Sequence, residues 1–100
     1  MSRRAPRVCV THADTERLRG LIAALPAHGR VTLLMRDGGT CTGVIHVRGS
    51  LEVFRDPSGL EGTNAEIALE CPDVAGDIRF LWLDQVEHVE HLDSGLASEN

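Results

Sequence analysis

The chain has no lysine and no tyrosine, and its only aromatic side chains are Phe54, Phe80 and Trp82. Without lysine every fixed cation is an arginine guanidinium, a planar group suited to two-point contact with carboxylate or phosphate. With so few rings there is little on which to stack nucleobases, since single-strand binding rests on aromatic platforms along a cationic track. No apolar run approaches the roughly 20 residues that a spanning helix needs. The Val8-Cys9-Val10 that follows Arg3, Arg4 and Arg7 is too short for the apolar core of a secretory signal. The expected setting is therefore the cytoplasm, without membrane contact. Cys9, Cys41 and Cys71 form an odd set without CxxC spacing, which reads as reduced thiols packing as small hydrophobes.

Catalytic and metal-binding grammar is missing too. Glu87-His88-Val89-Glu90-His91 places two histidines three apart, whereas a helical zinc site sets them four apart. On a strand, that spacing sends His88 and His91 to opposite faces and leaves only His88 and Glu90 together. Cys9-x-x-His12 lacks a second ligand pair. Cys41 and His46, five apart on one strand, cannot meet as nucleophile and base. No glycine-rich loop precedes a helix to cradle phosphate. These patterns predict a protein that is not an enzyme and holds no metal or small-molecule cofactor.

The 100 residues suit one domain. Formal net charge is −5, but its distribution is uneven. Residues 1–36 hold seven arginines against Asp14 and Glu16, while residues 37–100 hold three against thirteen acids. A basic pole on the N-terminal element follows if those arginines face solvent.

Residues 1–10 read as a flexible arm, residues 11–93 as the domain, and residues 94–100 as a flexible tail. Thr11 and Asp14 resemble a capping box, and Leu18, Leu21, Ile22 and Leu25 then recur at helical spacing. Pro26 and Gly29 end this element, so a helix is expected over about residues 12–25. Val31, Leu33 and Met35 alternate with Thr32, Leu34 and Arg36 in a first strand, and Asp37-Gly38 is a hairpin signal. The second strand sets Cys41, Gly43, Ile45 and Val47 on one face, with Gly43 permitting a sharp bend. Residues 49–63 either extend that strand or form a short hairpin arm, turning at Asp56-Pro57-Ser58-Gly59. A third strand is expected over Ala65–Cys71, with Ile67, Leu69 and Cys71 inward and Glu66, Ala68 and Glu70 outward. Pro72 to Gly76 follows as a loop. A fourth strand around Ile78, Phe80 and Trp82 is apolar enough to be buried on both sides. A one-turn break at Asp84-Gln85 leads to a fifth strand over Val86–Leu92.

This order resembles the Sm-like fold. The likeness lies in Val31-x-Leu33-x-Met35-x-Asp37-Gly38 with Gly43 and Val44, in Asn64-Ala65-Glu66-Ile67, and in Phe80-Leu81-Trp82-Leu83-Asp84-Gln85-Val86. Over residues 11–92 the chain is similar to a family of small, uncharacterised bacterial Sm-like proteins. The resemblance implies a mainly β protein: an N-terminal helix followed by a strongly bent, five-stranded antiparallel barrel. Sm-like proteins, the bacterial RNA chaperone Hfq among them, commonly form rings that bind RNA. Of the RNA-contacting loop positions only Asn64 matches, and Leu83-Asp84 stands where many members carry Arg-Gly.

Three functions follow, in order. The first is a non-enzymatic module acting through protein association, with itself or with a partner, through its apolar fourth strand. The second is RNA binding, with Arg17, Arg19 and Arg30 as the basic pole and His46, Arg48 and Asn64 near a loop site. Phe54, beside Arg55 and near Arg48 and His46, is the ring best placed to face a ligand. A metal-dependent regulator built on the C-terminal histidines ranks third.

Overall fold

The computed structural model describes residues 3–70 and 76–91. Cys71, most of the loop after it, Leu92 and the tail from Ser94 lie outside the described residues.

The helix forms where its cap and apolar stripe place it. It spans His12–Ala24 (α1), and Thr11 Oγ1 accepts from the Asp14 backbone N–H at 3.1 Å. That bond satisfies one of the donors a helix start leaves without a partner. Leu18, Leu21 and Leu25 are buried, and Ile22 packs at their margin.

Past Gly29 the apolar period changes from helical to two. Arg30–Met35 (β2) and Thr40–Val47 (β3) pair as an antiparallel hairpin. Its turn is held by Asp37 Oδ1, which accepts from the Gly39 N–H at 2.8 Å, while Gly38 adopts a φ of 94°. Glu66–Glu70 (β6) pairs with β3, and Ile78–Trp82 (β7) pairs with β6. A single 3-10 turn at Leu83–Gln85 leads into Val86–His91 (β8), which returns to pair with β2. The resulting sheet runs β7-β6-β3-β2-β8. Val31, Leu33, Ile45, Ile67, Leu69, Leu83 and Val86 join the helix leucines in one core.

Residues 49–63 take the hairpin alternative. Glu52–Arg55 (β4) and Glu61–Asn64 (β5) pair antiparallel, and Arg3–Arg4 (β1) adds to β4 in parallel, making a second sheet in the order β1-β4-β5. The hairpin turn is built on Asp56, whose Oδ1 accepts from Ser58 N–H, Ser58 Oγ–H and Leu60 N–H at 2.7–3.0 Å. The Ser58 hydroxyl bond and these backbone donors hold the Asp56 carboxyl below its ordinary range. After β1 the chain crosses the hairpin, and Cys9 exchanges backbone hydrogen bonds with Thr63.

Several expectations about the strands change. Val47 was expected inward with Gly43 and Ile45, but the register shifts between Ile45 and Val47 and leaves Val47 exposed. An extra residue in one strand reverses the side to which its successors point. Ala68 was expected outward and is buried, because the strip it faces is walled by the hairpin. The five strands do not form a closed cylinder by pairing β7 with β8: these strands end the larger sheet on opposite sides. The architecture is mainly β with one N-terminal helix, in two sheets.

Candidate interaction surface

The residues expected to gather around RNA sit in unlike surroundings. Arg17 is half-buried and spends both terminal nitrogens on the backbone, donating to the Val86 carbonyl and the Asp84 carbonyl at 2.8 Å each. Arg19 is exposed and pairs with Glu16 one turn earlier at 3.0 Å. His46 and Arg48 are exposed on and just past β3, and Arg48 reaches the Leu25 carbonyl at 3.4 Å. Asn64 is fully buried.

Asn64 is at the centre of a polar knot. Its Nδ2 donates to the Arg7 carbonyl at 2.9 Å and to Asp84 Oδ1 at 3.0 Å. Its Oδ1 accepts from the Ala65 N–H at 2.9 Å and from the Asp84 N–H at 3.3 Å. Asp84 Oδ2 in turn accepts from Arg7 Nε at 2.7 Å and from Gln85 Nε2 at 2.9 Å. Burial alone pushes the Asp84 carboxyl up, but hydrogen bonds from Arg7, Asn64 and Gln85, with the Arg7 charge, outweigh it and hold the group below its ordinary value. The acid that stands in place of Arg-Gly is therefore an internal tie. It fastens the 3-10 turn, the end of β5 and the segment before the helix to one another.

Part of the arginine-rich N-terminal third stands beside acids. Arg3, Arg7, Arg19, Arg36 and Arg55 each lie within 4 Å of a carboxylate. All of these except Arg7–Asp84, whose carboxylate is buried, are exposed pairs that add little stability. At those positions the acids offset positive charge that a phosphate backbone would otherwise meet.

The ring assignments reverse. Phe54 is 1 % exposed, packed edge-on against Trp82 with centroids 5.2 Å apart. Phe80, expected inside, is 65 % exposed. Leu81 is the β7 side chain that packs on the main core. The alternate side of β7 carries Phe80 and Trp82, and the hairpin covers only Trp82. A cavity of about 190 Å³ lies on one side of Phe80, bounded by Val47, Phe54, Glu52, Glu66 and Arg3. Another of about 250 Å³ lies on its other side, bounded by Met35, Leu81, Trp82 and Gln85. Among the described residues no strand pairs with the far side of β7. An apolar edge strand with an exposed ring between two hollows is what this surface offers a partner.

Metal and thiol chemistry find less here. Among the described residues no three His, Cys, Asp or Glu side chains converge as a metal site. His91 is turned to the end of the helix, where its Nε2 meets the Ala24 carbonyl. Burial, then the charges of Asp14 and Asp84, raise the Cys9 thiol above its ordinary value. The thiolate is the reactive form. Iodoacetamide at neutral pH is therefore expected to label Cys9 at least about tenfold more slowly in the native protein than in urea. Peptide mass mapping over a time course reads this directly, and equal rates would mean that the thiol is not sheltered.

A family model described as Domain of unknown function (DUF3247) matches residues 2–92. Among solved structures, a similar chain is described as XC5848 from Xanthomonas campestris, adopting a novel variant of the Sm-like motif. It is 26% identical, the match covers 90% of this chain and 97% of that one, and the TM-score is 0.84. No curated protein matches the chain.

Proposed function

The chain belongs to the DUF3247 family, and from that membership, its Sm-like fold and the surface just described we propose that it is a non-enzymatic module acting through protein association, pairing with a second copy of itself along β7. The observation that carries this reading is Phe80, 65 % exposed on an apolar edge strand with a hollow on either side. Antiparallel pairing of β7 with the β7 of a second copy would satisfy the outer backbone groups of both strands. It would also let each Phe80 reach a hollow walled by Leu81 and Trp82 of the other. Such a two-fold contact is self-complementary and closed.

The opposite end of the sheet supports the choice of β7. β8 packs against α1, with the Val86 carbonyl taken by Arg17 and His91 drawn to Ala24. β7 has no comparable cover among the described residues. The non-enzymatic part is supported by where the reactive groups are spent. Cys9 is held as the thiol, and Asp84 is committed to internal hydrogen bonds.

Light scattering over a concentration series tests the reading. The wild-type chain is expected to move from monomer to dimer. Phe80→Ser should weaken the dimer more than about tenfold, the loss expected when a central interface ring is removed. A monomer at every concentration, or a dimer indifferent to Phe80→Ser, contradicts it. If short oligo(A) or oligo(U) binds with an affinity that falls steeply as salt rises, the RNA reading takes its place.

A further inference from the structure

β1 is two residues long and lies parallel to β4, with Arg3 beside Phe54 and Arg4 beside Arg55. The Ala5 N–H donates to the Arg55 carbonyl at 3.1 Å and extends the pairing by one bond. This is the geometry of a peptide added to a sheet edge, where main-chain bonds supply affinity and side-chain pockets supply specificity.

The side-chain pocket is present as well. The Arg3 guanidinium carbon lies 5.2 Å from the Phe54 ring centroid, over its face. Arg3 Nη1 meets Glu52 Oε1 at 2.9 Å, and Nη2 lies 3.7 Å from Glu66 Oε1. A flat cation thus stacks on a ring while carboxylates meet its edge, an arrangement that suits guanidinium and not a compact ammonium. The box is neither full nor neutral. About 190 Å³ stays open beside it, with Phe80 as a further wall, and two carboxylates face one cation. Arg3 is also weakly held, with its side chain 60% exposed.

We propose that the edge of β4, with the box of Glu52, Glu66, Phe54 and Phe80, is a docking site for an extended, arginine-bearing segment of a partner protein, and that β1 fills it in the free chain. The partner's strand takes the place of β1 on β4, and its guanidinium takes the place of Arg3 between the carboxylates and the ring. Arg3 is then an internal competitor that sets the affinity of the site. This goes beyond pairing along β7, because it uses a different edge and different charges, with only Phe80 common to both surfaces.

The test is a titration of a blocked, fluorescently labelled pentapeptide Ser-Arg-Arg-Ala-Pro, the sequence of residues 2–6, against the full chain. Arg3→Ala should bind it about 3- to 10-fold more tightly than wild type, because the competing guanidinium is gone and β1 is left on β4 by its backbone bonds alone. Replacing both peptide arginines by lysine should weaken binding about fivefold or more. The Glu52→Gln/Glu66→Gln variant should lose binding while its thermal unfolding, followed by circular dichroism, stays near wild type. Binding by Arg3→Ala no tighter than by wild type overturns the proposal, as does full affinity in the double variant or indifference to the lysine exchange. If the peptide fails while Phe80→Ser still disrupts a dimer, the docking site is refuted and association along β7 stands. If the peptide behaves as expected and the chain stays monomeric, the reverse holds.

Discussion

Gly43→Ala is expected to lower the free energy of unfolding by about 2–3 kcal/mol, the scale of overpacking a well-filled interior. A Cβ at Gly43 would lie 2.4 Å from the Glu70 carbonyl oxygen and 2.9 Å from Leu69 Cγ. The nearer atom is backbone, so no rotamer change relieves the clash. β3 must instead draw away from β6 where Val44 pairs with Glu70 and Ile45 with Leu69. The sequence suggests that Gly43 serves to bend the strand; the structure gives close approach of a neighbouring backbone as the reason. Gly20→Ala provides the contrast. Gly20 lies inside α1 with nothing within 4 Å of an added Cβ, so the same change there should stabilise by about 0.5–1 kcal/mol. Urea unfolding of the two variants reads both signs, with an unchanged slope showing that only stability has moved. A Gly43→Ala protein as stable as wild type would mean that β6 does not cross β3 this closely.

The second large effect is at Asp84. Asp84→Ala leaves Asn64 Nδ2 with one acceptor fewer in a buried place, and it frees Arg7 and Gln85 from their shared oxygen. The expected loss is about 3 kcal/mol, toward the lower end for breaking a buried charge pair, because Arg7 can turn to water. Acidification should reproduce part of it. The native carboxyl is held below the ordinary 3.8, so as pH falls the unfolded chain takes up the proton first. Its contribution is complete above that ordinary value and is lost as pH drops through the lower native one. Asp84→Asn should therefore start less stable at neutral pH and lose less between about pH 5 and pH 2.5 than wild type does. Parallel acid-unfolding curves for the two proteins would show that Asp84 does not link the turn, β5 and the N-terminal segment.

Much of the fold is legible from local chemistry. Thr11 with Asp14 marks the helix start, and the leucine spacing marks its buried face. Asp37-Gly38 marks the first hairpin, and the Leu83–Gln85 turn separates the last two strands. These signals are local, and each is set by a few neighbouring residues. What the sequence could not show is which of two apolar faces another element covers. Phe54 looks ligand-facing because it lies in a short polar insertion, yet that insertion folds back and buries it against Trp82. Phe80 looks internal because its strand is apolar on both sides, yet the hairpin stops short of it. Periodicity assigns side chains to faces; long-range packing decides which face is wet.

The remaining differences have similar causes. One extra residue between Ile45 and Val47 sends Val47 outward, and no residue type there announces a bulge. Arg3-Arg4 is too short to show any period, so its place on β4 comes only from the geometry of the pair. Asn64 stands out in the sequence, but its partners Arg7 and Asp84 lie 57 and 20 positions away, beyond any local pattern. The arginine-rich N-terminal third suggests a basic pole, and only the structure shows that Arg3, Arg7, Arg19 and Arg36 lie beside carboxylates while Arg17 bonds backbone carbonyls.

Backbone hydrogen exchange of β7, followed across a concentration series, tests the central claim most directly. The amides of Ile78–Trp82 that are not bonded to β6 should gain protection as concentration rises through the dimerisation range, and Phe80→Ser should remove that gain. Exchange at β7 that is the same at every concentration, with no difference between wild type and Phe80→Ser, would contradict association along this edge.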